Sequence, residues 1–212
     1  GIRHYDNFNL TEGDIANLIM HYNGTDLSTF LNLVKNGVNI NGLLNTVDKN
    51  GAFKAGKAVF ITPGGMVIGS SGVLNVGSLE AYTNTTAYNN FKGKFDADQD
   101  ITLDEIQQID SKFANGNITV DGKIISRGDV VMIGKNVSVG EGGHIVANAN
   151  VGNTLDTNQL FKALVNTDGV LNSEQQGFVT NKDGRLVIHA QGGVNIAGNV
   201  VNYANGSKAA TI

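Results

Sequence analysis

Residues 66–79, MVIGSSGVLNVGSL, return in altered form as VVMIGKNVSVGEGGHIVAN at 130–148 and as LVIHAQGGVNIAGNVV at 186–201. Each version is an apolar β-rich run, a corner of Gly, Ser or Asn, a second alternating run and another corner. One phrase recurring with a unit of about 20 residues is the mark of a stacked repeat. A parallel β-helix gives that pattern a physical cause. Every coil contributes an inward apolar stripe, every corner needs residues that tolerate positive φ, and stacked coils satisfy each other's backbone hydrogen bonds. An antiparallel sandwich also has many short strands and turns, but it supplies no reason for the phrase to recur.

Further short β-rich runs flank these, each bounded by Gly, Asn, Asp or Ser. They are VNINGLLN (38–45), KAVFIT (57–62), NITVDGKIIS (117–126), DVVMIG (129–134) and GFVTN (177–181). Four stretches have helical spacing instead. In TEGDIANLIMHY (11–22), Ile15, Leu18, Ile19 and Tyr22 follow a candidate Thr11 cap. In TDLSTFLNLVKNG (25–37), Leu27, Phe30, Leu31 and Val34 precede a stop at Gly37. Both predict short helices in an N-terminal capping region, 1–37. DITLDEIQQIDSKFANG (100–116) has Thr102 and Glu105 in capping-box spacing, Ile106, Ile109 and Phe113 on one face, and Gly116 as a stop. TLDTNQLFKALVNTDG (154–169) groups Leu160, Phe161, Leu164 and Val165 ahead of Gly169. These two predict helical insertions at 91–116 and 154–169 that leave at corners and cover one side of a single domain spanning 1–212.

Composition narrows the function. Hydrophobic residues make up 41% and charged residues 16%, and 28 glycines spread turns evenly along the chain. A net charge of -4 offers no basic field to a phosphate backbone, so no nucleic-acid partner is expected. With no cysteine there is no disulfide, thiolate metal site or cysteine nucleophile. No apolar run approaches the roughly 20 residues that span a bilayer as a helix. An open solenoid end would expose an unpaired edge, so the native chain is expected to continue past Ile212.

The single proline sits in Thr62-Pro63-Gly64-Gly65. Pro63 suits the second position of a tight turn, and Gly64 the third, where a type II turn demands positive φ. Around it, GKAVFITPGGMVIGSSGVLNVGSLEAYT (56–83) resembles the signature region of the two-partner secretion domain of filamentous haemagglutinin-like exoproteins. In that family an apolar strand, an Asn-Pro-Asn-Gly turn, a second apolar strand, a glycine corner and a VNVGGL run come one after another. The likeness covers residues 38–83, and 117–150 more loosely; DIANLIM and SSGVLNVGSLEAYT look closest to the branch containing leukotoxin-type filamentous adhesins. The family's turn falls on Thr62, Pro63, Gly64 and Gly65, with Thr62 and Gly64 replacing its two asparagines. An upstream Asn-Pro-Asn-Leu motif of the family has no counterpart here.

The resemblance implies a right-handed parallel β-helix and a function without chemistry. Such a domain crosses the periplasm of a Gram-negative-type bacterium. There the periplasmic transport-associated domains of a dedicated outer-membrane transporter recognise it. It targets a large adhesin or toxin to the cell surface or medium and templates the folding of the rest. No catalytic residue, cofactor or metal is expected. The full-length protein would meet the host-cell surface.

The chemical motifs support no stronger rival. DADQDITLDEIQ places Asp96, Asp98, Asp100, Thr102 and Asp104 at early calcium-loop positions, but Ile101 and Gln107 stand where that loop needs Gly and Glu. An acidic helix N-terminus explains the carboxylates. His4, His21, His144 and His189 form no ligand pair, although His144 and His189 are placed to project from corresponding coil faces. GSSG (69–72) and GEGG (140–143) lack the helix that a nucleophile elbow or phosphate loop requires. Two alternatives from other classes remain. A glycan- or receptor-binding adhesin would use Tyr82, Tyr88 and Tyr203, and a β-helix polysaccharide-degrading enzyme would use paired acids among Asp121, Asp129, Glu141 and Asp183.

Overall fold

A computed structural model describes residues 1–165 and 183–204. Its strands are β1 (Ile2–Tyr5), β2 (Phe8–Leu10), β3 (Ile15–Ile19), β4 (His21–Tyr22), β5 (Thr25–Asp26), β6 (Thr29–Val34), β7 (Val38–Ile40), β8 (Leu43–Val47) and β9 (Lys57–Ile61). Next come β10 (Met66–Ile68), β11 (Val73–Val76), β12 (Ser78–Tyr82), β13 (Ile118–Val120), β14 (Lys123–Ser126), β15 (Val130–Val139), β16 (His144–Ala147), β17 (Leu186–Ile196) and β18 (Asn199–Asn202). The helices are α1 (Thr85–Asp96), α2 (Leu103–Gln107) and α3 (Thr157–Leu164), with a 3-10 turn at Ser111–Phe113.

The protein is mostly β-structure in parallel sheets, one of them curled nearly into a closed barrel. Apart from the β4–β5 hairpin, successive strands do not pair with one another; they visit three stacks in rotation. The first stack is β1, β6, β9, β12 and the first halves of β15 and β17. The second is β2, β7, β10, β13 and the second halves of β15 and β17. The third is β3, β8, β11, β14, β16 and β18. Because β15 and β17 run through a corner, the first two stacks merge into the large sheet. Register partners stand about 20 residues apart in three pairings, as for Val59 and Glu80, but 28 apart for Val38 and Met66 and 52 for Met66 and Ile118, so the expected unit of about 20 holds only where no loop or insertion lengthens the turn. Parallel pairing throughout the stacks excludes the antiparallel sandwich. The phrase at 130–148 lies in register with 186–201, but MVIG at 66–69 belongs to the second stack, and the column of Val130 runs through Leu79 to Ala58.

One apolar core fills the space between the stacks. Phe60, Ile40, Ile68, Leu74, Ile118 and Ile124 are fully buried in it. Each such side chain contributes about 1.5–3 kcal/mol relative to exposure. The stacks also approach closely at their corners. Gly42, Gly72, Gly122, Gly143 and Gly198 open successive strands of the third stack. A side-chain carbon on any of them would fall 2.1–2.4 Å from a carbonyl oxygen of the neighbouring corner. Only hydrogen fits there, whatever the local φ.

The two early helices predicted at 11–22 and 25–37 do not form; residues 1–37, expected as a capping region, hold strands, of which β1, β2, β3 and β6 take places in the stacks. In β3, Ala16 and Leu18 turn toward the core while Ile15, Asn17 and Ile19 alternate outward. Apolar residues on both faces mimic helical spacing. In β6, Phe30 and Val34 face the core while Leu31 and Leu33 face outward beneath helices. Between them β4 and β5 form a hairpin on Asn23 (φ 49°) and Gly24 (φ 76°), the Asn-Gly pair that favours a type I′ turn.

The expected insertions are present with shifted bounds. α1 starts at Thr85, capped by Asn84, so the first insertion begins before residue 91. The Thr102–Glu105 capping box is formed, but α2 ends at Gln107 and leaves Phe113 57% exposed. Tyr88, Phe91 and Ile106 cover the outer face of the first stack on Leu31, Leu33, Val59 and Ile61. This insertion has a closed neck: Asn115 N–H donates to Thr83 O at 2.8 Å and Thr83 Oγ1 donates to Gly116 O at 2.8 Å. α3, capped by Asp156, lays Leu160 and Leu164 on Ile125 and Val146 of the third stack. The Gly169 stop and the GFVTN run lie outside the described residues.

Candidate functional site

The turn singled out by the lone proline forms the corner between β9 and β10. Gly65 N–H donates to Thr62 O at 3.0 Å, closing the turn, and Thr62 Oγ1 donates to Gly65 O at 3.1 Å. The corner is bonded to its neighbours on three sides. Thr62 N–H donates to Tyr82 O at 2.8 Å, Val38 N–H to Gly65 O at 2.9 Å, and Met66 N–H to Asn117 O at 2.9 Å. Thr62 and Gly65 are buried, Pro63 is half-buried and Gly64 is exposed.

The type II assignment is corrected by the backbone. Positive φ belongs to Gly65 (94°) and not to Gly64. Gly64 is required for a different reason. A side-chain carbon on it would stand 1.9 Å from Asn36 O, while one on Gly65 would stand 2.6 Å from Asn117 O. Both glycines are squeezed against neighbouring corners of the parallel stacks. What this corner can offer a partner is therefore the ring of Pro63 and the backbone of Gly64.

The other candidates are dispersed. Lys92 Nζ lies 2.6 Å from Asp96, and Thr102 serves as a helix cap. Among the described residues no three metal-capable groups converge. His4 Nε2 lies 2.7 Å from Tyr88 Oη, His21 Nδ1 lies 3.0 Å from Asp26, and His144 Nδ1 lies 3.3 Å from Asn199. His144 is in the third stack and His189 in the first, so they do not share a face. Tyr82, Tyr88 and Tyr203 are 5%, 7% and 2% exposed, which removes them as a sugar-binding surface. Asp121 and Glu141 sit at the corner between the second and third stacks; Asp129 sits at another and accepts a 2.7 Å bond from Arg185 N–H. Asp183 is exposed.

Two networks escaped the sequence reading. Glu80 is 6% exposed beneath the helical cover. It takes Lys57 Nζ at 2.6 Å and a short bond from Tyr82 Oη, and burial together with this carboxylate pushes the Tyr82 phenol up. The only sequence signal was the shared face of Glu80 and Tyr82, two residues apart. Arg127 stacks 4.1 Å over Phe53, donates Nε and Nη2 to Gly152 O at 3.0 and 2.7 Å, and bonds Asn75 Oδ1 through Nη1. Desolvation lowers its guanidinium to about 10. The first network joins neighbouring strands β9 and β12 of the first stack, and the second ties the outlying Phe53 and Gly152 to the third. No protein-family model matches the chain, nor does any curated protein or solved structure.

Proposed function

We propose that this chain is the secretion and recognition domain of a large bacterial exoprotein, an adhesin or toxin, wound as a right-handed parallel β-helix. A dedicated outer-membrane transporter receives it in the periplasm through periplasmic transport-associated domains, and the rest of the exoprotein passes after it to the cell surface or medium. The observation that carries the reading is the Thr62–Gly65 corner. It stands in the middle of parallel stacks with two residues held inside and two presented. Thr62 and Gly64 replace asparagines of the family signature, so a partner at this corner reads backbone shape and the Pro63 ring. Thr62 meets the same structural need as a polar first residue, through its bond to Gly65 O.

The test is export. The chain is expressed with the transporter encoded beside its gene, and its appearance in the medium is compared with and without that transporter. Transporter-dependent export is expected, together with retention of the folded chain by the transporter's isolated periplasmic domains. Equal amounts in the medium without the transporter, or no retention, would overturn the reading.

A further inference from the structure

The third stack ends at β3, whose outer edge pairs with no strand among the described residues. Ile15 is 65% exposed and Ile19 48% exposed on this edge strand. Proteins usually blunt such edges with charge, proline or an inward-pointing charged residue. The edge strand of the first stack, β1, has that device: Arg3 stands in the column of Asn32 and Phe60, which faces the core. β3 carries no charge and no proline.

A second observation points to what covers the edge. The outer face of the third stack carries a row of asparagines in register. Asn75 Nδ2 donates to Asn45 Oδ1 at 3.0 Å, and Asn45 Nδ2 donates to Asn17 Oδ1 at 3.1 Å. Asn17 ends the row, and its own Nδ2 has no protein acceptor among the described residues. The missing neighbour should present an oxygen at this height, with aliphatic side chains on either side of it.

We infer that the edge is a self-association surface, on which β3 pairs antiparallel with β3 of a second copy about a two-fold axis through Asn17. The outward residues Ile15, Asn17 and Ile19 read the same in both directions. Antiparallel pairing therefore sets Ile15 against Ile19 of the second copy, and Asn17 against its own counterpart. Each Asn17 Nδ2 then donates to the lone pair of its counterpart's Oδ1 that Asn45 leaves free, so the two asparagine rows meet head to head at the axis. Opposed β-branched pairs and paired amides both stabilise cross-strand contacts. A two-fold contact of this kind closes on itself and stops at a dimer.

The test is sedimentation velocity of the 212-residue chain, with the parent compared with Asn17→Asp and Ile15→Lys. Asn17→Asp keeps an oxygen for Asn45 and so preserves the fold, but it sets two carboxylates against each other across the axis. A concentration-dependent dimer is expected for the parent, weakened at least about tenfold at neutral pH by either substitution, with circular dichroism unchanged. The chain has no cysteine, so Asn17→Cys is expected to oxidise to a disulfide-linked dimer and Ser70→Cys, on an exposed corner, is not. A parent that stays monomeric at about 500 μM overturns the inference. So does a dimer indifferent to Asn17→Asp, or one in which Asn17→Cys fails to cross-link.

Discussion

The carbonyl oxygen of Asn36 lies 1.9 Å from the point where a side-chain carbon on Gly64 would stand. That contact is with backbone, so relief requires one corner to move against the next. Gly64→Ala is expected to cost about 1–3 kcal/mol and Gly64→Val more, as overpacking between rigid elements does. Pro63→Ala, whose residue is half-buried, should cost under about 1 kcal/mol through the unfolded chain. Urea unfolding of the three variants checks the order. In the export assay, Pro63→Ala combined with Gly64→Val should lower secretion, and a parental rate would sink the role given to this corner.

Gly93 lies inside α1 with nothing within 4 Å of an added side-chain carbon. Gly93→Ala should therefore stabilise the protein by about 0.5–1 kcal/mol, since alanine gives up less backbone freedom in a helix. A raised midpoint in thermal unfolding is the expected readout. The contrast with Gly64→Ala separates glycines kept for space from a glycine that is not.

Arg127 joins Phe53, Asn75 and Gly152 through its planar fork. A lysine cannot make the forked contact to Gly152 O or stack as a guanidinium does. Arg127→Lys is expected to cost about 1–3 kcal/mol. Hydrogen exchange should quicken at residues 152–155 and stay unchanged in β9 and β12. Uniform quickening would argue against a local tie.

Burial, aided by Lys92, holds His4 below the ordinary histidine value of 6.5, and burial with Lys123 does the same to His144. The unfolded chain therefore binds protons that the folded chain refuses. The stability tied to these groups is complete above about pH 6.5 and is lost as pH falls below that value. Melting temperatures measured from pH 7.5 to 5 should decline. His4→Gln and His144→Gln should each flatten the decline, whereas an unchanged slope in both would contradict the assignment.

The sequence revealed the parallel stacking because corner glycines and apolar runs recur where stacked strands must touch. It misled at the N-terminus, where a strand buried on both sides, such as Phe30–Val34, has the spacing of a helix. α1 was missed at its start because Thr85–Thr86 offers no apolar stripe and the signal is Asn84 alone, a cap that has meaning only once the next residues turn helical. At the corner, Pro63 marked the turn correctly. The job of Gly64 was invisible, because it is set by Asn36 at the corner between β6 and β7. The Glu80–Lys57–Tyr82 network was hidden for the same reason, since Lys57 reaches Glu80 only after β9 and β12 are side by side.

The bonds joining Thr83 to Asn115 and Gly116 fasten the neck of the first insertion without involving the helices beyond it. Met66 meets Ile118 in the same register that it keeps with Val38, whatever happens in between. The enclosed segment thus behaves as a cassette. Loop closure grows costlier only slowly with length, so it can be exchanged, lengthened or rewritten while the frame keeps its register. Rewriting it costs the cover on Leu31 and Val59 and the contact of Tyr88 with His4.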